Sequence, residues 1–160
     1  MKHRFNCTPI IYPLATFDVL FNNNSARQPQ YTMDNTTNAI NWFEIPAKDI
    51  NRAKTFYEKI LSVKLDEWPD MMGMKMVGFP YNPQTGKVGG ALVQSEMHNP
   101  SIEGPVVFLN GNAGLDNILS RVESAGGQVV MPKTQINPEI GAMAFIIDSE
   151  GNKIGFHSDN

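Results

Sequence analysis

The sequence predicts an α+β protein built from two βαβββ modules in tandem, whose strands form a curled mixed sheet around a cavity. Three observations predict this fold class. Residues 49–65 and 114–130 carry apolar side chains in the same pattern, which indicates a diverged internal repeat. Strand-like runs flank each repeat unit, and turns of matching composition join the last two runs of each half. Each half is therefore expected to form a sheet covered by one helix.

Both repeat units are predicted to be amphipathic helices, because their apolar residues recur at about i, i+3, i+7 and i+10. Asp49 stands where an N-cap would start the first helix, and the Gly126-Gly127 pair ends the second by supplying a left-handed backbone conformation. No such glycine ends the first helix. The matched apolar positions are Ile50 with Leu115, Ala53 with Ile118, Tyr57 with Val122, and Ile60 with Ala125.

Strands are predicted before and after each helix. In the first half they fall near residues 40–45, 72–79 and 88–94, and in the second near 106–109, 128–131, 142–147 and 153–158. Polar turns containing glycine, at 82–87 and 148–153, join the last two strands of each half. The folded domain is therefore expected at 39–160, with module one at about 39–95 and module two at about 104–158.

Residues 1–38 are predicted to be a poorly structured N-terminal extension. Residues 22–38 are rich in Asn, Gln, Thr and Ser without apolar periodicity, which is typical of a linker. Pro9, Pro13 and Asp18 interrupt the apolar residues before it, which argues against a secretory signal. One hypothesis places the natural start at Met33, with the first 32 residues a functionless extension. Mass spectrometry of the native N-terminus tests it.

Composition excludes several classes of function. A net charge of -3 with scattered Lys and Arg gives no surface for nucleic acid, and no apolar run reaches the length of about 20 residues that a membrane span requires. Cys7 is the only cysteine, so neither an internal disulfide nor a Cys/His zinc site is expected. These features favour a cytoplasmic protein that binds neither nucleic acid nor a membrane.

Four motifs, in order and at matching intervals, resemble the vicinal-oxygen-chelate superfamily of glyoxalases, bleomycin-resistance proteins and dioxygenases. They are Trp42-Phe43-Glu44-Ile45-Pro46, Asp49-x-x-Arg52-Ala53-x-x-Phe56-Tyr57, Ala125-Gly126-Gly127 and Asp148-x-x-Gly151-Asn152-x-Ile154-Gly155-Phe156-His157. The resemblance covers about three-quarters of the chain. It implies a cup-shaped fold for a small organic ligand and association into a homodimer. A shared fold does not identify the reaction.

Metal-dependent members of this family bind a divalent ion through four inward-facing residues on the first and last strands of the two modules. Strand alternation places Trp42, Gly89 or Ala91, Val106 and Gly155 at these positions. None of these side chains can coordinate a metal, and the neighbouring Glu44 and His157 would supply only two ligands. The sequence therefore predicts no tightly bound metal and no cofactor.

Glu44 and His157 are the predicted catalytic residues, because the same alternation places both on the concave wall, where a carboxylate and an imidazole can transfer a proton. In the alternative interpretation Glu44 bonds a neighbouring strand and His157 is a solvated residue near the C-terminus. Trp42 and Phe108 are expected to bind substrate together with Val106, Ala91 and Gly155, or else to be plain core.

Other polar groups are interpreted structurally. His98, in the linker between the modules, has no partner nearby in sequence and is expected to be solvated, and no Ser-His-Asp or Cys-His grouping is apparent. Gly86-x-x-Gly89-Gly90 is interpreted as a hairpin turn, because no helix follows to bind a phosphate. Met71, Met72, Met74 and Met76 suit core filling better than a pocket lip.

These features predict a glyoxalase-like protein that binds a small organic molecule. As an enzyme it would be a lyase or isomerase that uses Glu44 or His157 without a tightly bound metal. The alternative is a non-catalytic protein that sequesters a small molecule, as the bleomycin-resistance members do. A third alternative is a scaffold or regulatory subunit.

Overall fold

The computed structural model describes residues 35–71 and 73–159. Almost all of the predicted N-terminal extension, including Cys7 and Met33, lies outside the described residues, as does Met72. The first module contains β1 (Trp42–Pro46), α1 (Ile50–Leu61), β2 (Asp66–Glu67), β3 (Lys75–Gly78) and β4 (Gly89–Gln94). The second contains β5 (Val107–Asn110), α2 (Leu115–Val122), β6 (Gln128–Asn137), β7 (Gly141–Ile147) and β8 (Lys153–Ser158).

The strands form two four-stranded mixed sheets with equivalent topology. Their orders are β1-β4-β3-β2 and β5-β8-β7-β6. In each sheet the first strand of the module pairs in parallel with the last, while the other pairs are antiparallel. Strands β1 and β5 therefore lie at an edge of their sheets. The predicted duplication and the α+β fold class are confirmed.

Helix α1 begins at the predicted cap, where Asp49 Oδ1 accepts the backbone N–H groups of Asn51 and Arg52 at 3.0 and 3.1 Å. It ends at Ser62, which adopts a left-handed backbone conformation with a φ of 57° although it is not a glycine. Helix α2 continues into a short 3-10 helix, Glu123–Ala125, and ends at the left-handed Gly126 as predicted.

Both helices pack against one apolar core that the two modules share. The core side of the strands carries the residues that alternation assigned to it: Ile45, Leu109, Ile154 and Phe156 are all buried there, and Phe43 packs against them. The buried helix residues are Ile50, Ala53, Phe56, Tyr57, Ile60, Leu115, Ile118 and Val122. The opposite faces of the sheets therefore carry Trp42 and Glu44 in module one, and Phe108, Gly155 and His157 in module two.

Three elements differ from the predicted ones. Strand β2 has only two residues, both charged and exposed, so it gives no apolar signal. Strand β6 extends to Asn137 instead of ending near residue 131, because register shifts relative to β7 break the alternation expected of a strand. The turn at 82–87 contains a 3-10 helix, Pro83–Thr85, capped by Asn82.

A buried polar turn in module two holds the loop between β1 and α1 of module one. Glu150, whose side chain has no exposed surface, accepts the backbone N–H groups of Lys48 and Asp49, each at 3.0 Å, and the Arg52 guanidinium at 2.7 and 2.8 Å. The Asn152 amide donates to the Pro46 carbonyl at 2.8 Å. These bonds fix how the two modules lie relative to each other.

Candidate functional site

An apolar groove of about 790 Å³ lies between the modules, and we call it the inter-module groove. One side is formed by the β1 region and the end of α1, including Ile40, Phe43 and Val63. The other side is formed by residues 105–110, along β5 and just before it. Among the described residues, the lining contains no charged side chain, and Asn110 is its one polar side chain. Apolar contact would therefore dominate binding here.

A second cavity, of about 550 Å³, adjoins this groove at β5 because both are lined by Phe108, Leu109 and Asn110. It adds polar groups that the groove lacks: Asn112, His157 and Asp159. The two cavities together offer a long apolar surface with polar side chains at one end. This combination suits an amphipathic small molecule.

His157 is held in this second cavity with one ring nitrogen available. Its Nε2 lies 2.8 Å from the carbonyl oxygen of Ile140, and a carbonyl can only accept. Nε2 therefore carries the proton, and in the neutral ring Nδ1 is an acceptor. Among the described residues the nearest carboxylate, Asp159 Oδ1, lies 3.9 Å from Nδ1, beyond hydrogen-bond distance. Nδ1 can consequently accept a proton from a ligand.

Phe108 lies where the two cavities meet and is 48% exposed, so it is available to a ligand. Its ring covers the buried Gly155 and meets Phe145 edge-on at 5.4 Å. A Cβ at position 155 would come within 2.6 Å of the Phe108 ring. Gly155 therefore supports the ring instead of contacting a ligand itself, while Val106 lines the groove beside it.

The open face of module one differs, because aromatic side chains of the same chain cover it. Trp42 stacks on Trp68 with ring centres 5.7 Å apart and meets Tyr81 edge-on at 5.8 Å. Trp68 lies over Gly78 and Tyr81 over Gly89, where an added Cβ would approach each ring to 2.7 Å. We call Trp42, Trp68 and Tyr81 the aromatic cover.

Two of the residues predicted to bind substrate therefore have other surroundings. Ala91 is completely buried in a cluster with Met76 and Val93, against which Trp42 and Trp68 pack. It cannot touch a ligand without displacing them, so the substrate-binding interpretation of Ala91 is corrected. Trp42 belongs to the aromatic cover and does not line the inter-module groove. No periodicity in the sequence indicates this cover, because Trp68 and Tyr81 come from segments between strands.

The structure does not bring Glu44 and His157 together. Glu44 lines a third cavity, of about 270 Å³, with Asn99, Ser101 and Lys153 among its other lining residues, whereas His157 lines the second. Strand alternation correctly assigned each residue to the open face of its strand. It could not tell which cavity each face borders, because the two residues belong to different sheets.

His98 forms a hydrogen bond with Glu44, so the prediction that His98 is solvated is wrong. Its Nε2 lies 2.8 Å from Glu44 Oε2, and its Nδ1 lies 2.7 Å from Ser95 Oγ. The contact with Glu44 spans 54 positions of sequence, because the linker after β4 returns across β1. A Ser-His-Glu chain therefore exists although no such grouping was apparent in the sequence. The Ser95-x-x-His98 spacing within one turn was its only local signal.

The side chains at the family's metal positions do not fit a divalent ion. Trp42, Gly89, Val106 and Gly155 have no donor that binds such an ion, and the two glycine positions are covered by aromatic rings. Within residues 35–71 and 73–159 there is no group of three or more His, Cys, Asp or Glu that could hold a metal ion. We therefore derive no step through a metal.

Comparison with solved structures supports the same fold. A hypothetical protein from S. aureus is similar at 24% identity with a TM-score of 0.56, covering 73% of this chain and 91% of that one. Glyoxalase I from Zea mays is similar at 14% identity with a TM-score of 0.58, and the matched region covers 74% of this chain but 43% of that one. The trypanothione-dependent glyoxalase I of Leishmania major gives 16% identity, a TM-score of 0.54 and coverages of 77% and 88%.

None of the helices within the described residues is long and apolar enough to cross a membrane.

Two further comparisons bear on function. A search of curated proteins finds no match. Residues 39–156, which include both modules, match the sequence model of the family described as Glyoxalase/Bleomycin resistance protein/Dioxygenase superfamily. The chain therefore belongs to the glyoxalase/bleomycin resistance protein/dioxygenase superfamily.

Proposed function

We propose that this protein binds a small amphipathic organic molecule, with its apolar part in the inter-module groove and its polar end near His157. The observation that carries the proposal is that Phe108, Leu109 and Asn110 line both cavities. A groove of about 790 Å³ lies within the range that small-molecule sites occupy in proteins. Its uncharged lining favours an apolar body, while the side-chain NH₂ of Asn110 can orient a polar group.

Phe108 is the residue expected to contribute most to binding. Its exposed ring gains the most contact when a ligand fills either cavity, and burying a phenyl group contributes roughly 1.5–3 kcal/mol. Val106 adds a smaller apolar contact on the same side of the groove. Gly155 and Phe145 hold the Phe108 ring in place.

The test uses the fluorescent dye 8-anilinonaphthalene-1-sulfonate, which is itself small and amphipathic, titrated into the full-length protein. Phe108→Ala should weaken dye binding about 10-fold, which corresponds to about 1.4 kcal/mol. Tyr81→Ala is the matched control, because Tyr81 is similarly exposed, at 42%, and does not line either cavity. Equal effects of the two substitutions, or none from Phe108→Ala, would refute the assignment of the site.

A second candidate function is catalysis of a lyase or isomerase reaction by His157. The observation that favours it is the available Nδ1, held in orientation by the bond from Nε2 to the Ile140 carbonyl. From this position the imidazole would remove a proton from carbon next to a carbonyl group of the ligand and return it elsewhere. Glu44 is not proposed as its partner, because it borders a different cavity.

The two functions are separated by exchange of substrate protons. Small carbonyl compounds are incubated with the protein in D₂O and followed by NMR. A catalyst should exchange or remove a C–H proton, and His157→Ala should abolish this while dye affinity stays within a few-fold. A sequestering protein should bind without any exchange. Exchange that persists in His157→Ala would exclude His157 as the base.

Self-association into a homodimer, and a cytoplasmic location as the single cysteine favours, are also part of the proposal. Module two exposes a series of large apolar side chains that support self-association: Phe108, Val130, Ile136 and Ile140. Sedimentation velocity at micromolar concentration tests the dimer, and a monomer throughout would exclude it.

A further inference from the structure

We propose that Ser95, His98 and Glu44 form a second reactive site, in which Ser95 is an activated nucleophile toward small esters. This site lies outside the inter-module groove, and none of its three residues lines that groove. The proposal rests on the direction of the hydrogen bonds that join the three side chains and on their partial burial. It is independent of the function proposed for the groove.

The hydrogen bonds run in one direction. Ser95 Oγ accepts the backbone N–H of Met97 at 3.2 Å, so its own hydroxyl proton is free to point toward His98 Nδ1, 2.7 Å away. His98 Nε2 lies 2.8 Å from Glu44 Oε2, and an ionised carboxylate can only accept, so Nε2 carries the ring proton. Nδ1 is thereby left as the acceptor of the serine proton. This is the arrangement of a nucleophile, a base and an orienting acid.

Glu44, the acid of the Ser-His-Glu chain, is held on a regular strand. Glu44 lies in β1, where its backbone pairs with β4 at Ala91, and its second carboxylate oxygen accepts the Trp42 indole N–H at 3.3 Å. The His98 side chain is only 19% exposed, so its ring has little freedom to turn away. Ser95 follows directly after β4 and is half-buried. Glu44 therefore acts as a positioning residue that fixes the ring and its tautomer.

A small cavity borders the Glu44 end of the three hydrogen-bonded residues. It has a volume of about 270 Å³ and is lined by Glu44, Asn99 and Lys153 together with apolar residues, whereas Ser95 and His98 do not line it. Ser95 is instead half-buried directly after β4, so an ester must approach its Oγ from the partly exposed side of that turn.

The reaction balances without a cofactor. Ser95 Oγ forms a bond to the ester carbonyl carbon while its proton passes to His98 Nδ1. The bond from the acyl carbon to the alcohol oxygen then breaks, and the alcohol leaves with the proton from Nδ1. Water attacks the acyl-serine with His98 again as the base, which releases a carboxylic acid and restores the Ser95 hydroxyl. Throughout, the Glu44 carboxylate keeps its bond to Nε2–H and stabilises the imidazolium.

The experiment is covalent labelling of the full-length protein with a fluorophosphonate probe, followed by intact mass and peptide mapping. Ser95 Oγ displaces fluoride from phosphorus, so one adduct should appear on the peptide that contains Ser95. Ser95→Ala should abolish it, and His98→Gln should slow it by about 100-fold or more, the lower range for general base catalysis. Ser120→Ala is the matched control, because Ser120 is exposed and donates to the Asn117 carbonyl without a histidine.

The role of Glu44 has its own measurement. Glu44→Gln should reduce the labelling rate of the folded protein, because the ring would lose the carboxylate that fixes its tautomer and stabilises the imidazolium, whereas Glu44→Asp should restore part of the rate. Equal labelling rates in wild type and Glu44→Gln would show that Glu44 does not position the ring.

Two outcomes would overturn the proposal. They are the absence of an adduct on Ser95 in folded wild-type protein, or equal labelling in His98→Gln with an unchanged circular dichroism spectrum. Dye binding in the inter-module groove should be unchanged in Ser95→Ala, because Ser95 does not line the groove. The two proposals therefore fail separately.

Discussion

Replacing Glu150 by glutamine should destabilise the protein strongly near neutral pH and little in acid. The Glu150 side chain is fully buried and accepts bonds from two backbone N–H groups and from the Arg52 guanidinium. Glutamine keeps the volume but presents an NH₂ group to other donors. Both backbone N–H groups bond to Oε2, and the glutamine oxygen can take that place. The main loss therefore concerns Oε1, where the glutamine NH₂ would face the Nε–H of Arg52 and the Ser149 hydroxyl.

The size of the effect follows from these bonds. Hydrogen bonds to a charged group contribute roughly 1.5–3 kcal/mol each and those to a neutral group about 1 kcal/mol, so both backbone bonds weaken and the bond from Arg52 Nε is lost. We expect a loss of about 3 kcal/mol in the free energy of unfolding at pH 7, near the lower end for breaking a buried ion pair. With a urea dependence of roughly 1–3 kcal/mol per molar, the midpoint should fall by about 1–3 M.

The pH dependence gives the sharper test. Burial alone would raise the pKa of the Glu150 carboxyl, but hydrogen bonds from Arg52, the Asp49 backbone and Ser149, with the charge of Arg52, together lower it. A lowered pKa in the folded state contributes stability that is complete above the unfolded value of about 4.3 and is lost as the pH falls through the folded value. The difference between wild type and Glu150→Gln should therefore shrink below about pH 4.

Urea unfolding followed by circular dichroism at pH 7, 5 and 3 measures this difference. Glu139→Gln is the control, because it removes the same charge from an exposed site in module two. A loss below about 0.5 kcal/mol at pH 7 would place Glu150 with ordinary surface residues. A larger loss that stayed constant down to pH 3 would refute the role of its charge.

Two further substitutions test other parts of the structure. Tyr57→Phe removes a buried hydroxyl that donates to Asp148 at 2.8 Å and should cost about 1–2 kcal/mol. Burial, reinforced by the charge of Asp148, raises the pKa of Tyr57 well above its usual value. Because folding then opposes ionisation of the phenol, the wild type should lose stability above about pH 10. Urea titrations at pH 9 and 11 should show this loss in the wild type and not in Tyr57→Phe. Asp49→Ala removes the cap of α1 and should lower the free energy of unfolding by roughly 0.5–2 kcal/mol. Asp116→Ala, in the first turn of α2, is the comparison, because Asp116 does not cap its helix. Equal losses in the two variants would contradict the capping role.

The sequence predicted those elements whose apolar pattern depends on one regular period. Helix α1 and strand β8 were located closely because their buried faces repeat at helical and strand spacing and end at turn residues. The same alternation gave the correct face for Phe43, Phe108 and His157. The side of the sheet that a strand residue faces depends only on its position along the strand, so local sequence can specify it.

The rest depends on contacts between distant segments. Glu44 meets His98 only because the linker returns across β1, and no periodicity encodes that path. Ala91 is covered because Trp42 and Trp68 pack against its cluster, and Trp68 comes from a segment without regular structure. The inter-module groove depends on the separation of two sheet edges, which the buried Glu150 turn helps to set. Each of these contacts is decided by tertiary packing.

The pairing of glycines with aromatic rings limits how this chain could gain a metal. A histidine at position 89 or 155 would place its Cβ 2.7 or 2.6 Å from the ring of Tyr81 or Phe108, so the new donor and the existing ring compete for the same space. Each ligand would require a second substitution that removes the ring, and that substitution alone exposes apolar surface without supplying a donor. Single-residue routes to a metal centre are therefore blocked at both positions. Engineering one here must change residues in pairs.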